Sequence, residues 1–298
     1  LGPTGRPKHD FPEPAPLTSH GPARIISMVN QKGGVGKTTS TINLGAALAG
    51  YGRRVLMVDF DPQGALSAGL GANPHELDTT VYNVLMERSV TAKDAILSTD
   101  FENMDLLPAN IDLSAAEVQL VNEVAREQVL ERALRQVRDD YDVVLIDCQP
   151  SLGLLTVNAL VAAREVLIPI QAEYYALEGV GQLLGNISMI REHLNEDLHI
   201  SAVLLTMYDA RTRLAEDVAD NVREQFGAVV LGNVIPRSVR VSEAPGYGTT
   251  VIDYAPSSTG ARAYLAAARE LNRRGDYRPH PTTGAIGVSP EIYAELEG

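Results

Sequence analysis

The chain has 298 residues, 45% of them hydrophobic, so it can bury a large core. Its 25 basic and 38 acidic residues give a net charge of −13, which argues against general nucleic-acid binding and restricts any DNA contact to a local patch. The single cysteine, Cys148, excludes a disulfide framework and a four-cysteine metal site within one chain.

The two ends of the chain are predicted to be tails. Residues 1–23 contain six prolines and predict a disordered arm, without the apolar core of a signal peptide. Residues 276–298 predict a polar C-terminal tail. No run of about 18 apolar residues occurs, so we expect no transmembrane helix and a cytoplasmic protein.

Residues 24–275 alternate apolar runs with helical patterns. Strands are predicted at 24–30, 54–60, 104–109, 141–147, 165–170, 200–208 and 228–235, and helices near 37–50, 112–138, 153–163, 178–194, 214–226 and 259–274. This alternation predicts one α/β domain. Its core is a single doubly wound, mostly parallel sheet of about seven or eight strands with helices on both faces. Ligands of such sheets bind beyond the carboxyl ends of the strands.

A glycine-rich loop follows the first predicted strand in "VNQKGGVGKTTSTINLG", residues 29–45. Its three glycines let successive backbone N–H groups point at one centre, and the following helix adds its positive N-terminus. Lys37 can reach the outer phosphates of a nucleotide and the Thr38 hydroxyl can bind Mg²⁺, as in a phosphate-binding P-loop. The strict P-loop pattern needs glycine at position 31, where this chain has Gln31, and it does not need the second lysine, Lys32.

Carboxylates follow two other predicted strands. Asp59 and Asp61 in "VDFDPQG" lie two residues apart, so their side chains face the same way on an extended chain. Asp147 follows four apolar residues in "VVLIDCQPSLG". A carboxylate at the end of a buried strand is costly unless it faces a cation or hydrogen-bond donors. These positions therefore indicate residues that manage Mg²⁺ or water opposite the loop.

The sequence resembles the ParA/Soj family of partition ATPases, the branch of P-loop NTPases with a deviant Walker A loop. The resemblance rests on "QKGGVGKTT", "VDFDPQG", "IDCQPSLG", "QAEYYALEG", "LLTMYDART" and "VIPRSVRVSEAP", which span residues 24 to about 270. It implies that Lys32 is a signature lysine that reaches the ATP of the other subunit in an ATP-dependent sandwich homodimer. Two facing nucleotides repel, and a lysine donated in trans offsets that repulsion only when both sites are filled.

The resemblance also implies a role for each loop residue and each carboxylate. Lys37 holds the outer phosphates, Thr38 binds Mg²⁺, and Asp61 positions or activates the attacking water and lies at the metal. Asp147 supports the Mg²⁺ shell, and Asp59 has a weaker supporting role. The remaining nucleotide contacts are implied for Thr39, for the amides of Gly33, Gly34, Val35 and Gly36, and for Pro236 on the adenine side. The expected activity is weak ATP hydrolysis stimulated by a partner.

Arg211 and Arg240 match family positions that contact double-stranded DNA without sequence preference. Local charge alone does not predict this role, because residues 205–245 contain five arginines but six acidic residues. The resemblance further implies a ParB-type centromere-binding partner and association with the nucleoid. DNA binding would then depend on ATP, since dimerisation brings two copies of each arginine to one face.

Several alternatives remain beside this interpretation. A MinD-like positioning ATPase, acting on a membrane or a protein scaffold, shares the loop but needs a C-terminal amphipathic helix that residues 276–298 do not suggest. A small-molecule kinase or ligase on the same fold stays open, although "EYYALEG" and "RVSEAP" argue against it. An iron–sulfur ATPase would need two ligand cysteines per subunit. The sequence leaves undecided the cargo and the effect of Gln149, where the family usually has proline.

Overall fold

The computed structural model of the protein describes residues 11–275, and the predicted tail at 276–298 lies outside them. Seven strands form one sheet in the order β3-β4-β2-β5-β1-β6-β7. Only the pair β3–β4 is antiparallel. The strands are β1 (Arg24–Met28), β2 (Val55–Phe60), β3 (Leu97–Ser98), β4 (Met104–Leu107), β5 (Val143–Cys148), β6 (Glu165–Gln171) and β7 (His199–Thr206). The predicted doubly wound, mostly parallel α/β fold is confirmed.

Helices cover both faces of the sheet. They are α1 (Lys37–Gly50), α2 (Ala65–Gly69), α3 (Val81–Met86), α4 (Ala92–Ala95), α5 (Leu113–Gln119), α6 (Val129–Leu134), α7 (Leu154–Ala162), α8 (Val180–His193), α9 (Arg213–Phe226), α10 (Val239–Glu243), α11 (Val251–Tyr254) and α12 (Thr259–Gly275). Short 3₁₀ helices span Leu120–Asn122, Arg126–Gln128, Gly227–Val229 and Ala244–Tyr247. The short helices α2, α3, α4, α10 and α11 and the two-residue strand β3 were not predicted.

The sheet separates two hydrophobic cores. Along β5, Val143 and Leu145 join the core that contains α1 and α12, while Val144 and Ile146 join the core that contains α7 and α8. Successive side chains of a strand point to opposite faces, so a strand covered on both sides needs apolar residues at nearly every position. This requirement explains why the strands could be read from continuous apolar runs.

The strand predicted at 228–235 does not form as such. Leu231 N–H and Ile235 N–H donate to carbonyls of β7 at 2.8 Å each, but the segment makes only isolated bridges with its neighbour. Between these two contacts, the N–H of Gly232 donates instead to the Glu270 carboxylate of α12 at 3.1 Å. The Glu270 carboxylate thus accepts a backbone N–H that would otherwise bond to β7, and a continuous strand does not form.

The single helix predicted at 112–138 is broken into several pieces. Ala125 has a positive φ of 54°, which a continuous right-handed helix does not allow. Downstream, Asn158 Oδ1 accepts the N–H groups of Val129 at 3.0 Å and Leu130 at 3.2 Å, and so caps the start of α6 from α7. The apolar face predicted from Leu130, Leu134 and Val137 is nevertheless buried.

The proline-rich segment has no helix or strand in residues 11–23, yet it packs on the domain. Phe11 is buried, with the Arg273 guanidinium 5.7 Å above its ring. The Ala15 carbonyl accepts a hydrogen bond from Arg53 at 2.9 Å. Unlike the predicted disordered arm, this part of the segment is held to the surface by specific contacts.

Candidate nucleotide site

The glycine loop connects β1 to α1 at the carboxyl edge of the sheet. Gly34 and Gly36 have φ values of 73° and 86°, a region that side chains with a Cβ rarely adopt. The Thr206 hydroxyl at the end of β7 donates to the Val35 carbonyl at 2.8 Å. Asn30 Nδ2 donates to the Pro169 carbonyl of β6 at 2.8 Å. The loop is therefore fixed by contacts with β6 and β7, which lie on one side of β1 in the sheet.

The two lysines of the loop differ in their surroundings. Lys37 is the first residue of α1 and is buried, and its Nζ donates to the Lys32 carbonyl at 3.3 Å. Burial lowers the pKa of Lys37, although the nearby Asp147 opposes that shift. The N–H of Lys32 donates to Asn30 Oδ1 at 2.9 Å. Within residues 11–275 the half-buried Lys32 side chain has no hydrogen-bond or ion-pair partner.

Asp59 and Asp147 lie side by side as register partners on β2 and β5. Asp147 accepts hydrogen bonds from Thr38 Oγ1 at 2.6 Å and Thr41 Oγ1 at 3.2 Å. Burial raises the pKa of Asp147 to about 7, and the negative charge of Asp59 contributes. Burial also raises the pKa of Asp59 to about 6 despite two hydrogen bonds from Ser67, at 2.8 Å from its N–H and 2.7 Å from its hydroxyl.

Asp61 follows β2 and is half-buried. Its Oδ1 accepts the N–H of Gln63 at 3.0 Å, and its own N–H donates to Asp59 Oδ1 at 3.3 Å. The charge of Asp61 acts on both Lys37 and Asp147, so the three groups share one site. Asp59 is bonded to Ser67 and Asp61, which indicates a role in holding the chain after β2.

The oxygen donors of this site fit a hard divalent cation. Mg²⁺ prefers carboxylates, hydroxyls and phosphate oxygens. The buried, neighbouring carboxylates of Asp147 and Asp59 have raised pKa values, and a cation would offset the cost of their charges. The Thr38 hydroxyl, Asp147 and Asp61 are therefore the residues that would hold the metal.

Pro236 and the two predicted DNA-contact residues lie further from the loop in sequence. Pro236 bridges to Tyr208, just beyond the end of β7, which places it at the carboxyl edge as well. The Arg211 side chain is 86% exposed and forms an ion pair with Asp209 at 2.8 Å. Arg240 is exposed and pairs with Glu243 at 3.0 Å. Both arginines are on the surface, each with an acidic neighbour.

Sequence reasoning missed several residues that build the site. Asn30 and Thr206 fix the loop, Thr41 is a second donor to Asp147, and Ser67 satisfies Asp59. A signal existed for Asn30, a polar residue at the end of a buried strand. No such signal existed for Thr206, whose partner is 171 residues away in sequence.

Known proteins resemble this chain over most of its length. Residues 23–200 match the family described as AAA domain. The chain is 50% identical over 252 residues to the sporulation initiation inhibitor protein Soj of Bacillus subtilis, covering 85% of this chain and 99% of that protein. It is 48% identical over 258 residues to the chromosome partitioning protein ParA of Caulobacter vibrioides, covering 86% and 96%.

A solved structure is similar to the whole fold. The crystal structure of cobyrinic acid a,c-diamide synthase from Mycobacterium smegmatis with bound ATP analog and magnesium superposes with a TM-score of 0.76 at 43% identity. It covers 85% of this chain and 96% of that chain. No helix in residues 11–275 is both long and apolar enough to cross a membrane.

The fold and the phosphate loop define this protein as a P-loop ATPase. The sequence identities to Soj and ParA narrow this class to one family. The chain belongs to the ParA/Soj family of partition ATPases. The resemblance predicted from the sequence motifs is confirmed.

Proposed function

We propose that the protein is an ATP-driven switch for DNA partition. ATP and Mg²⁺ join two protomers in a sandwich dimer, the dimer binds double-stranded DNA without sequence preference, and partner-stimulated hydrolysis releases it. Family membership supports ATP-dependent partitioning as the general activity. The observation that carries the finer mechanism is the arrangement of Lys32.

The backbone of Lys32 is fixed on both sides while its ammonium has no partner within residues 11–275. Its N–H bonds to Asn30 and its carbonyl accepts Lys37 Nζ. The adjacent Gly33 and Gly34 are exposed, so the loop surface is open to a second protomer. A cation held at that surface offsets the repulsion between two facing triphosphates, and it does so only when both sites are filled.

Within each protomer the remaining residues divide the work. Lys37 and the amides of residues 33–36 hold the phosphates, together with Thr38 and Thr39 at the start of α1. Asp61 orients the attacking water. Thr38, Asp147 and Asp61 would hold Mg²⁺, which would neutralise the charge that develops on the phosphate oxygens.

Arg211 and Arg240 are the proposed DNA contacts. Each is exposed and paired with a neighbouring acidic residue, and a phosphate competes with that carboxylate for the guanidinium. Dimerisation doubles the number of arginines on one face, which supports sequence-independent and salt-sensitive binding. We further propose that a ParB-type protein is the stimulating partner and that the ATP dimer is associated with the nucleoid.

The switch is tested by measuring DNA retention with ATP, ADP and no nucleotide. Only ATP should support retention, and binding that ignores the nucleotide would contradict the switch. Lys32→Ala should prevent stable ATP dimers in light scattering, whereas Lys93→Ala, which removes an exposed lysine paired with Asp140, should not. Asp61→Ala should dimerise with ATP and remain dimeric, because the dimer is no longer dissolved by hydrolysis.

The DNA contacts are tested by charge reversal. Arg211→Glu and Arg240→Glu should weaken DNA retention while leaving the affinity for ATP unchanged. Arg135→Glu is a matched control, since Arg135 is exposed and paired with Glu131 in the same manner. Unchanged retention in the first two variants would cancel these two assignments.

Two other functions have specific observations in their favour. The solved structure at 43% identity is named for amide formation on cobyrinic acid, which favours a small-molecule ligase. A crystal structure of the Pyrococcus furiosus cell division ATPase MinD, at 31% identity and a TM-score of 0.69, favours a MinD-like protein. ATP consumption that requires cobyrinic acid would support the first, and ATP-dependent binding to anionic lipid vesicles without DNA binding would support the second.

A further inference from the structure

A cavity of about 320 Å³ lies between α8, α9 and the start of β7. Its apolar walls come from Leu184 and Ile187 of α8, Phe226 of α9, and Leu198 and Ile200 at the start of β7. This volume is at the lower end of the range for ligand sites, about 300–1,000 Å³. The cavity, called here the α8–α9 cavity, can therefore hold a few side chains but not a whole helix.

The lining of the α8–α9 cavity carries a positive charge. Arg191 and His199 are its only titratable residues among those that the structure describes. The half-buried Arg191 guanidinium has no hydrogen-bond or ion-pair partner within residues 11–275. The neighbouring acidic residues are exposed and lie outside the lining: Glu192, Glu196, Asp197 and Glu224. The cavity thus offers apolar walls beside one unpaired cation.

The end of α12 is fixed next to this cavity. The Arg274 guanidinium donates to the Ser201 carbonyl at 3.2 Å and to the Val229 carbonyl at 3.0 Å. Ser201 follows Ile200, and Val229 lies three residues after Phe226, so the two chain segments that form walls of the cavity also hold the last turn of α12. The chain beyond α12 therefore starts near the cavity.

The sequence after α12 is long enough to reach the cavity. Helix α12 and the cavity lie on opposite faces of the sheet, so the chain has to pass around its β7 side. That path is on the order of 20 Å, about two helix diameters. The thirteen residues 276–288 can span roughly 40 Å when extended. Residues from 289 onwards can thus enter the cavity of their own protomer.

The segment 289–297, "SPEIYAELE", matches the lining of the cavity in chemistry. Ser289 can cap a helical turn that has Pro290 at its first position. In such a turn Ile292 and Leu296, four residues apart, share one face. The segment has no basic residue, and its three acidic residues are Glu291, Glu295 and Glu297. It therefore supplies both apolar side chains for the walls and carboxylates for Arg191.

Other occupants match the cavity less well. Two-fold pairing of two α8–α9 cavities would bring Arg191 of one copy towards the same cation of the other. DNA supplies negative charge but no aliphatic side chains, and a basic amphipathic segment lacks the carboxylate. The chain's own segment also has the advantage of a tether, because a flexible linker of this length gives an effective concentration on the order of millimolar.

We infer that segment 289–297 docks in the α8–α9 cavity of its own protomer, with Ile292 and Leu296 against the apolar walls and a carboxylate paired with Arg191. The cavity adjoins the amino end of β7, whereas the phosphate loop lies at the carboxyl edge of the sheet. The docking is therefore separate from the nucleotide site. It does not rest on the proposed function and can be tested without nucleotide.

The probe is a fluorescein-labelled peptide of residues 286–298, and its binding to the full chain is measured by fluorescence anisotropy. Ile292→Ser combined with Leu296→Ser in the full chain should empty the cavity of its own segment. This double variant should bind the peptide about tenfold or more tightly than the wild type does, because the tethered competitor is lost. Equal affinity of the two proteins would overturn the inference. A peptide with its three glutamates changed to glutamine is the charge control and should bind more weakly.

The cavity is tested by filling it in the double serine variant. A side chain built at Gly185 of α8 meets no atom within 4 Å, so Gly185→Leu enters open space in the lining and favours the helix. It should weaken peptide binding on the order of tenfold by occupying the apolar walls. The matched control is Gly181→Leu, one turn earlier on α8, where a side chain is equally free of contacts but lies outside the lining.

The ion pair is tested by Arg191→Glu in the same double serine variant, which should also weaken binding of the peptide. Its control is Arg88→Glu, because Arg88 is exposed near β3, at the opposite end of the sheet from β7. Peptide binding that survives both Gly185→Leu and Arg191→Glu would place the segment elsewhere and overturn the inference. Self-association of the wild type in sedimentation, lost in the double serine variant, would show docking into a second copy and would overturn it too.

This inference and the proposed function fail separately. ATP-dependent dimerisation and DNA retention are measured on the double serine variant and are expected to persist, since the cavity takes no part in either. A wild type that binds DNA without regard to nucleotide contradicts the proposed function but leaves the peptide result standing. A double variant that binds the peptide no better than the wild type contradicts the docking alone.

Discussion

Acidic side chains are buried in different surroundings at the two ends of the parallel strands, called here the amino edge and the carboxyl edge of the sheet. At the amino edge, Glu165 forms an ion pair with Arg24 at 2.7 Å, and Glu270 of α12 pairs with Arg274 at 2.7 Å. At the carboxyl edge, Asp59 and Asp147 lie beside each other, and the nearest cation is the buried Lys37. Buried acidic side chains therefore meet a partner of opposite charge at one edge and a like charge at the other.

The pKa shifts follow this difference. Burial is the largest single influence on Glu165 and raises its pKa, but the charge and hydrogen bonds of Arg24, together with His199 and Ser201, outweigh burial and the pKa is lowered. At the carboxyl edge burial prevails, and the pKa values of Asp147 and Asp59 rise to about 7 and about 6. Paired buried charges are typical of structural support, whereas buried carboxylates with raised pKa values are typical of sites that bind a cation or transfer protons.

The largest expected effect is on ATP hydrolysis and comes from substituting Lys37. In residues 11–275, Lys37 is the only cation buried beside Asp59 and Asp147. Lys37→Ala should lower kcat/KM for ATP hydrolysis on the order of 10²–10³-fold, because it removes a positioned donor to the phosphates. Steady-state phosphate release checks this, with Lys93→Ala as the control. Activity near the wild-type value would show that Lys37 balances carboxylate charge without holding the nucleotide.

At the amino edge, substitution of Glu165 should lower the stability of the fold. Glu165→Gln leaves Arg24 without its anionic partner and should lower the free energy of unfolding by about 3 kcal/mol. Urea unfolding measures this loss, and the affinity for ATP should not change. The control is Glu131→Gln, which ends the exposed pair with Arg135 and should cost at most about 0.5 kcal/mol. Equal losses in both variants would remove the distinction between buried and exposed pairs.

Asp147→Asn should have the opposite effect on stability. Ionised Asp147 is disfavoured in its buried position, so removing the charge should raise the free energy of unfolding of the nucleotide-free protein by roughly 1–2 kcal/mol at slightly alkaline pH. ATP hydrolysis should be lost at the same time. Urea unfolding and phosphate release on one preparation test both effects, and a destabilised Asn variant would contradict the difference between the edges.

The amino edge should also control the response to acid. The pKa values of Glu165 and Asp142 are lowered in the folded protein, so the unfolded chain binds more protons between the folded and unfolded pKa values. Their stabilisation is complete above about pH 5 and is lost as pH falls below about 4. The difference in the free energy of unfolding between wild type and Glu165→Gln, measured by urea titration, should therefore shrink as the pH falls from about 5 to below about 4. A difference that is constant with pH would contradict the assigned shift.

The smallest expected effect concerns Gln149. Gln149→Ala removes the hydrogen bond to Glu117 and should lower the free energy of unfolding by about 1 kcal/mol or less. Ser114→Ala, which removes an exposed side-chain hydrogen bond on the same segment, is the control. A loss well above that of the control would show that Gln149 has a larger structural role than one hydrogen bond provides.

The sequence was sufficient for the elements whose cause is local. Six of the seven predicted strands and the phosphate loop were read from apolar runs, glycines and the G-K-T order, because these patterns act over a few residues. The placement of Asp59 and Asp147 at one edge followed from the parallel sheet.

Distant side chains explain the rest. Glu270 accepts the Gly232 N–H and interrupts the strand predicted at 228–235, and Asn158 caps α6 within the predicted helix 112–138. Neither contact can be predicted from the local sequence. Gly232 and Glu270 are 38 residues apart, and Val129 and Asn158 are 29 residues apart. The packing of Phe11 under Arg273 joins the two ends of the described chain and was equally invisible.

The contact between Thr206 and the Val35 carbonyl has a mechanical consequence. Thr206 is the last residue of β7, the next residue, Met207, has a positive φ of 51°, and Arg211 follows only four residues later. The phosphate loop and the surface arginine are thus tied to one short length of chain. If Arg211 binds DNA as proposed, nucleotide binding at the loop could affect that contact through this short length of chain, without a movement between domains.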